Sequence, residues 1–576
     1  MTKPAKTVAD AIAASLARHG VEVIFAQSLP SAVILAAEAI GIRQIAYRQE
    51  NMGGAMADGY ARISAEVGVV AAQNGPAATL LVPPLAEALK ASVPIVALVQ
   101  EVERHQADKN AFQEFDHRAL FSSCAKWTRT LISADRVDDY VDAAFIAATS
   151  GRPGPAVLLL PADVLREPVK PSPARRTMSY GRWPLDRISA GEQQVREVAK
   201  LIAAAENPVV VAGGGAMTDG APPALARLQE MASLPVFTTN MGKGSVDEYH
   251  PLSCGVLGAL TGPRSLGRHT KELLTAADLV LEVGTRNNQN GTDSWRLLPY
   301  AARIVQIDID PQEIGRNYEA FRLVGDASET LSAICQALRG VNLTRRTDKR
   351  GALARRIAQA WEQFDADRKP VARRNSGAIR PERVMAELQT LLTPETIVVG
   401  DASYASMWIV GQLRSLAAGM RFLTPRGLAG LGWGLPLAMG AKVARPSLPV
   451  VALVGDGGFG HSWAELETLV RMKIALTVIV LNNGVLGYQR DAETVKFGAY
   501  TTACHFAPVD HAAIARACGC EGIRVEDAGA ILPALQTALR SGRPSLIEVM
   551  ADPDAHPPIS LYDGTLDRAD AMGADE

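Results

Sequence analysis

The chain has 576 residues, 48% hydrophobic and 21% charged, with 59 basic against 61 acidic side chains. That length predicts three or four domains with substantial cores, and a net charge of −2 gives no electrostatic reason for nucleic acid or an anionic membrane as partner. The longest apolar runs, such as VGVVAA and LTVIVL, are of strand length rather than membrane-spanning length, and six scattered cysteines without a CxxC pair read as the reduced thiols of a cytoplasmic protein.

The first twenty residues are an amphipathic helical pattern without an apolar signal core. Short apolar runs then alternate with Ala-rich helical patterns up to about residue 165: VEVIFAQ, RQIAYR, VGVVAAQN, VPIVALVQ and AVLLLP. That alternation predicts βαβ units and a parallel sheet over 1–165. Proline and charge break the period across 166–189, read as a linker. A second α/β region, 190–345, carries PVVVAGGG, LPVFTT, LVLEVG and RIVQIDID. The basic, polar stretch that follows reads as a second linker, 346–374. A third region, 375–552, carries TIVVGD, VVALVGD, LTVIVLNN and PSLIEVM. Residues 553–576 are polar and read as a loose tail or lid. The predicted fold class is α/β, with three doubly wound parallel-sheet domains.

Chemistry concentrates in GDGGFGHSWAELETLVRMKIALTVIVLNNG, residues 455–484. A buried strand ends at Asp456. Gly457 and Gly458 permit a tight turn and close approach to a ligand. Ser462 and Glu465 fit a capping box, so a helix is predicted there with Trp463, Leu466, Leu469 and Val470 as its apolar face. A right-handed βαβ unit brings Asp456 and Asn483 above the same sheet edge. One carboxylate and one amide oxygen make half of a hard-oxygen shell, suited to Mg²⁺ completed by phosphate oxygens. For GDGG alone, ordinary turn chemistry is the competing explanation.

The joint pattern, GDG then 24 residues then NN, resembles the metal-diphosphate motif of thiamine diphosphate-dependent enzymes. The resemblance implies Mg²⁺ held by Asp456, Asn483 and the Val485 carbonyl. It implies a diphosphate against Gly455, Gly457, Gly458, Leu486 and Gly487. QENMGGAMADGYAR resembles the catalytic-glutamate segment of that family. This implies Glu50 at the pyrimidine nitrogen, favouring the imino tautomer that removes the thiazolium C2 proton. GLAGLGWGLPLAMGA resembles the stretch that grips the pyrimidine, with Leu431 as apolar wedge and the Ala429 carbonyl and Leu431 N–H bonding the ring. KNAFQEFD resembles the segment that carries Phe112 and Gln113 into a partner's active site. Gln27, Ser28, Asn74, Gln113 and Gln489 are then the polar groups of the pocket, and Gln27, Gln113 and Gln489 join Glu50 as catalytic candidates.

The resemblance covers nearly the whole chain and points to the acetolactate synthase-like branch. It implies pyrimidine-binding, Rossmann-like central and diphosphate-binding domains, a homodimer at minimum and commonly a homotetramer. The implied activity is C–C bond lyase or carboligase chemistry next to the carbonyl of a 2-keto acid or related small molecule. Alternatives are a 2-hydroxyacyl-CoA lyase, a benzaldehyde lyase-type carboligase, a cyclic diketone hydrolase, or a flavin-dependent 2-keto acid oxidase on the same fold. Ala492 stands where acetolactate synthases carry a Trp. Pro161-Ala162-Asp163-Val164 lacks their Lys, Gln27–Ser31 replaces a Gly-rich loop, and the sequence offers no His in that loop or around Asn74. EVGTR, VQIDID and VGDAS resemble segments that hold FAD or ADP in relatives, making Arg286, Asp308 and Asp326 nucleotide candidates, against a central domain that binds none.

Overall fold

The computed structural model describes residues 6–169, 176–562 and 565–566. It contains three six-stranded sheets, and every strand pairing within them is parallel. The first consists of β1 Val23–Phe25, β2 Arg43–Ile45, β3 Gly68–Ala72, β4 Ile95–Glu101, β5 Trp127–Thr130 and β6 Ala156–Pro161, in the order β2-β1-β3-β4-β6-β5. The second consists of β7 Pro208–Ala212, β8 Val236–Thr238, β9 Ser253–Val256, β10 Leu279–Val283, β11 Arg303–Asp308 and β12 Phe321–Val324, in the order β12-β11-β10-β7-β8-β9. The third consists of β13 Ile397–Gly400, β14 Phe422–Leu423, β15 Val450–Gly455, β16 Thr477–Asn482, β17 Glu521–Val525 and β18 Ser545–Met550, in the order β14-β13-β15-β16-β18-β17.

The first and third sheets share one topology; the second has the strand order of dinucleotide-binding folds. Helices cover both faces, so β3, β6 and β7 are buried along their whole length and read as unbroken apolar runs. Each sheet reverses direction of winding between β1 and β3, β7 and β10, and β13 and β15, and the first and third turn back again at their far ends, where β6 and β18 lie inside β5 and β17. Ligands bind α/β sheets beyond the strand C-termini at such points. Gln27 and Asn74 follow β1 and β3, Gly213 and Gly284 follow β7 and β10, and Asp401 and Asp456 follow β13 and β15.

One apolar core joins the first and third sheets. The helix Glu50–Ser64 packs on Gly434–Ala444 at close range. A Cβ on Gly59 would collide with the Leu437 carbonyl and one on Gly440 with that of Met56, so both positions require glycine.

Three expectations change. Residues Thr344–Ala372 form one long helix rather than a linker. Its charged pattern conceals an inner stripe: Ile357, Trp361 and Phe364 are buried against the second sheet's layer, and buried Arg346 donates to the carbonyls of Ala205 and Glu206. The C-terminal stretch is packed through Tyr562, which is 1% exposed. Part of the 166–189 segment lies along the first domain, with Gly181 O accepting from Val67 N–H and the Trp183 indole donating to Ala61 O. Residues 170–175 of that segment and 563–564 and 567–576 of the tail lie outside the described residues. Among the described residues no helix is long and apolar enough to cross a membrane.

Candidate active site

The β15–β16 register pairs Gly455 with Leu481, which leaves Asp456 and Asn483 just beyond the ladder on one edge. Asp456 is buried, and its Oδ2 accepts the Gly484 N–H at 2.9 Å. Burial pushes its carboxyl up to about 6. The Asn483 Oδ1 lies 3.3 Å from the Val485 N–H. Gly455, Asp456, Gly457, Gly458, Asn483, Val485, Leu486 and Gly487 line one cleft of about 60 Å³, with Leu431, Asp401 and Tyr404 also on its wall. A desolvated carboxylate, an amide oxygen and a backbone carbonyl form a hard-oxygen set that fits Mg²⁺, which keeps its remaining positions for phosphate oxygens or water. The neighbouring Asn482 is turned away: its Nδ2 donates to Glu548 at 2.7 Å and to Val509 O at 3.1 Å.

Two buried carboxylates hold the loop that carries Ala429 and Leu431. Glu87, reaching across from the first domain, accepts the N–H groups of Gly427 at 2.6 Å, Leu428, and Ala429 at 3.1 Å. Asp401 accepts those of Gly432, Trp433 and Gly434 at 2.9–3.0 Å. The N–H groups between them, of Gly430 and Leu431, go to neither carboxylate. Ala429 is held at φ +63°, a left-handed conformation that an L residue adopts only when its surroundings compel it. Asp401 had a legible signal, since VVGD repeats the strand-Gly-Asp ending of LVGD; Glu87 sits in an amphipathic helix with nothing local to mark it.

Glu50 is the first residue of its helix and half-buried. The expected capping box at Ser462 does not form. The Ser462 Oγ is buried without a partner, and the helix begins at Glu465. The Glu465 carboxylate instead accepts the N–H of Arg48 at 3.0 Å and of Gln49 at 3.3 Å. Trp463 and Val470, expected on the apolar face, are 36% and 37% exposed, while Leu466 and Leu469 are buried.

The remaining polar candidates divide. Gln27 is exposed and donates to the Arg48 carbonyl at 3.0 Å. The Asn74 amide is engaged with the carbonyls of Phe112 and Gln113, so it shapes that segment rather than offering donors to a ligand. Gln113 has φ +60° and a buried Oε1 that finds no hydrogen-bond partner among the described residues, the mark of a group awaiting one. Gln489 is exposed and bonded to Glu493 at 2.7 Å and does not line the Asp456 cleft. The expectation of no His around Asn74 also needs correction. Buried His117 accepts the Gly75 N–H on Nε2 at 2.9 Å, so its proton sits on Nδ1, which faces Glu101 at 3.0 Å. A separation of 42 residues hid that contact. Glu50, Asn74 and Gln113 do not line the Asp456 cleft of their own chain.

A larger cavity of about 400 Å³ opens beyond the C-terminal ends of β7 and β10, and Arg286, Asp308 and Asp326 all line it. Burial pushes Asp308 up to about 6; burial and the nearby Arg152 lower Arg286. Asp326 also caps the helix that follows it by accepting the Glu329 N–H at 3.1 Å. The opposite wall is Arg426 and Gly427–Ala429, the far side of the loop that Glu87 holds.

Family profiles match three segments: "Thiamine pyrophosphate enzyme, N-terminal TPP binding domain" over 6–120, "central domain" over 195–334, and "C-terminal TPP binding domain" over 401–549. The chain is 32% identical to the probable acetolactate synthase large subunit of Methanocaldococcus jannaschii, with 97% of this chain and 94% of that protein covered. It is 32% identical to the acetolactate synthase of Mycobacterium bovis, covering 90% and 84%. It is 33% identical to the acetolactate synthase large subunit of Parasynechococcus marenigrum, covering 94% and 87%.

Proposed function

The chain belongs to the thiamine pyrophosphate enzyme family, in its acetolactate synthase-like branch, and from that premise we propose a carboligase that joins carbonyl compounds at the carbonyl carbon of a 2-keto acid. The alternatives set out from the sequence are not favoured by these relatives. The observation that carries the site assignment is the convergence of Asp456, Asn483 and Val485 in one cleft with Leu431 on its wall. These three would hold Mg²⁺ and, through it, the diphosphate, while the Gly457–Gly458 turn offers backbone N–H groups to the same phosphates. Bound thiamine diphosphate supplies an electron sink for bond making and breaking next to a carbonyl. Glu50 would hold and release a proton at its carboxyl, facing the pyrimidine. Leu431 keeps the cleft apolar and excludes water, which strengthens every charge interaction inside it.

Leu431 lines the diphosphate cleft, but Glu50, which would face the pyrimidine ring nitrogen, and Gln113 do not line it within their own chain. A second copy therefore completes the site in this reading, making a homodimer the minimum and a homotetramer the assembly we assign. Phe112, 83% exposed, is in the segment that would enter the partner. The larger cavity is assigned to FAD or ADP, with Arg286, Asp308 and Asp326 around it. The six cysteines are free, which suits the reducing cytoplasm to which we assign the protein. The decisive experiment is titration of the purified protein with thiamine diphosphate with and without Mg²⁺, followed by 2-keto acid turnover. Cofactor binding that is indifferent to Mg²⁺, or no turnover of any 2-keto acid by the loaded protein, would overturn the reading.

A further inference from the structure

The connection between β2 and the helix Glu50–Ser64 is fastened to the third domain at Ala46, Arg48 and Gln49, while the Tyr47 hydroxyl between them donates to the Ala71 carbonyl of its own domain. The Ala46 N–H meets the Met472 Sδ at 3.4 Å, and its carbonyl accepts from Arg471 at 2.7 Å. The Arg48 and Gln49 N–H groups go to Glu465, and the Arg48 guanidinium lies 3.8 Å from Glu467. Gln49 is the N-cap of that helix, yet its own side chain makes no capping bond. An N-cap normally satisfies orphan N–H groups at a helix start; here a carboxylate from another domain takes those of the two residues just before it. That carboxylate is 1% exposed and itself fixed by the Thr468 hydroxyl at 2.7 Å. A buried anion with three donors on two oxygens is a rigid anchor.

We propose that Glu465 is a positioning residue for Glu50: it sets the entry of the Glu50 helix, and through it the carboxyl that serves the cofactor, without touching the cofactor. The inference rests on the assignment of Glu50 made above. With its carboxylate so engaged, Glu465 is not available to close a capping box on Ser462.

The test compares Glu465→Gln, Glu50→Gln and the double variant by two readouts: amide hydrogen exchange of the 46–52 segment in cofactor-free protein, and the rate of C2–H exchange of bound thiamine diphosphate. Glu465→Gln keeps the shape but turns one acceptor into a donor facing N–H groups. The 46–52 segment should lose protection, and C2–H exchange should slow on the order of 10–100-fold, as a sub-ångström to ångström misplacement does. In the Glu50→Gln background the same change should add less than about 2-fold, because its target is already gone. Thr468→Val, which only loosens the anchor, should give a smaller loss in the same direction and stands in if Glu465→Gln does not fold. Equal losses in both backgrounds, or unchanged protection of 46–52, overturn the proposal. If Glu50→Gln leaves C2–H exchange at the wild-type rate, the assignment of Glu50 itself falls.

Discussion

The Glu87 carboxylate accepts the Ala429 N–H at 3.1 Å, joining the first domain to the loop that walls both the small cleft and the large cavity. With Gly427 and Leu428 it satisfies three consecutive donors, and Arg62 lies 3.8 Å away on its other side. Removing the carboxylate leaves those donors and part of the Arg62 charge uncompensated in a buried place. Glu87→Ala is expected to destabilise the protein by about 3 kcal/mol, as breaking a buried charged network does. Because the loop also carries Leu431, thiamine diphosphate affinity should fall at least about tenfold. Calorimetric titration beside a thermal melt checks both; a lower melting temperature with unchanged affinity would show that the loop does not depend on its anchor.

The two adjacent asparagines should behave oppositely. Asn483 lines the Asp456 cleft, whereas Asn482 holds Glu548 at 2.7 Å. Asn483→Ala and Asp456→Ala should weaken Mg²⁺-dependent cofactor binding by more than about 100-fold, beyond the loss typical of an outer partner, with little change in the melt. Asn482→Ala should do the reverse and cost about 1–3 kcal/mol of stability, by stripping a donor from a buried carboxylate. Titrations of the three variants decide it, and a binding defect confined to Asn482→Ala would reverse the assignment.

What could be read from the sequence follows burial. The interior strands were legible because two covered faces produce unbroken apolar runs such as VVALVG in β15. Every strand that the pattern missed is an edge: β5, β9, β12, β14 and β17. The WTRT of β5 and EGIRV of β17 are half exposed and carry no run to detect. Asp456 and Asn483 were legible because one βαβ unit carries both. Glu87, His117 and the cross-domain use of Glu465 were not, since each acts on backbone more than 40 residues away in sequence. Ser462 misled because a local capping pattern lost to a tertiary one.

Burial pushes Glu282 up to about 7, with the Asn287 amide donating to it at 2.8 Å. The folded chain therefore keeps a proton that the unfolded chain gives up near 4.5. The contribution of Glu282 to stability falls as pH rises from about 4.5 to about 7 and then levels off. Glu282→Gln stays neutral and can still accept from Asn287. It should raise stability by up to about 3 kcal/mol at pH 8 and by little at pH 5. Melts of both proteins across that range provide the check; a gain that does not depend on pH would mean that Glu282 is ionised throughout in the folded chain.

Arg286 lines the large cavity, and among the described residues no carboxylate pairs with it at salt-bridge distance, although Glu313 and Asp308 are near enough to oppose in part the lowering that burial imposes. A diphosphate there would neutralise it by charge-assisted hydrogen bonds. Protein purified without added nucleotide should release FAD or ADP on denaturation, and Arg286→Ala should reduce the bound amount at least about tenfold, the loss of one charged hydrogen bond. The absorbance spectrum and chromatography of the released material separate the two nucleotides. Nucleotide-free wild-type protein that also fails to bind either on addition would remove the assignment.

A role in substrate choice is predicted for Ala492, which lies in the helix Gly487–Phe497, whose first residue lines the Asp456 cleft. Acetolactate synthases resembled by this chain carry a Trp there. Replacing an indole by a methyl removes apolar contact worth up to a few kcal/mol to a small substrate packed on it, and opens space. The same side of the site carries aromatic surface, with Tyr488 40% and Phe506 41% exposed. With Gln489 bonded to Glu493, one orienting polar group for a substrate is the Gln113 Oε1, which lacks a hydrogen-bond partner among the described residues. A larger 2-keto acid should therefore exceed pyruvate in kcat/KM by about tenfold or more, the discrimination that one or two apolar contacts provide. Ala492→Trp should narrow that ratio by lowering turnover of the larger substrate. The check is a steady-state panel of pyruvate against longer and aromatic 2-keto acids with the loaded enzyme. If pyruvate gives the highest kcat/KM and Ala492→Trp leaves the ratio unchanged, the space beside Ala492 has no part in specificity and pyruvate coupling is the chemistry of this chain.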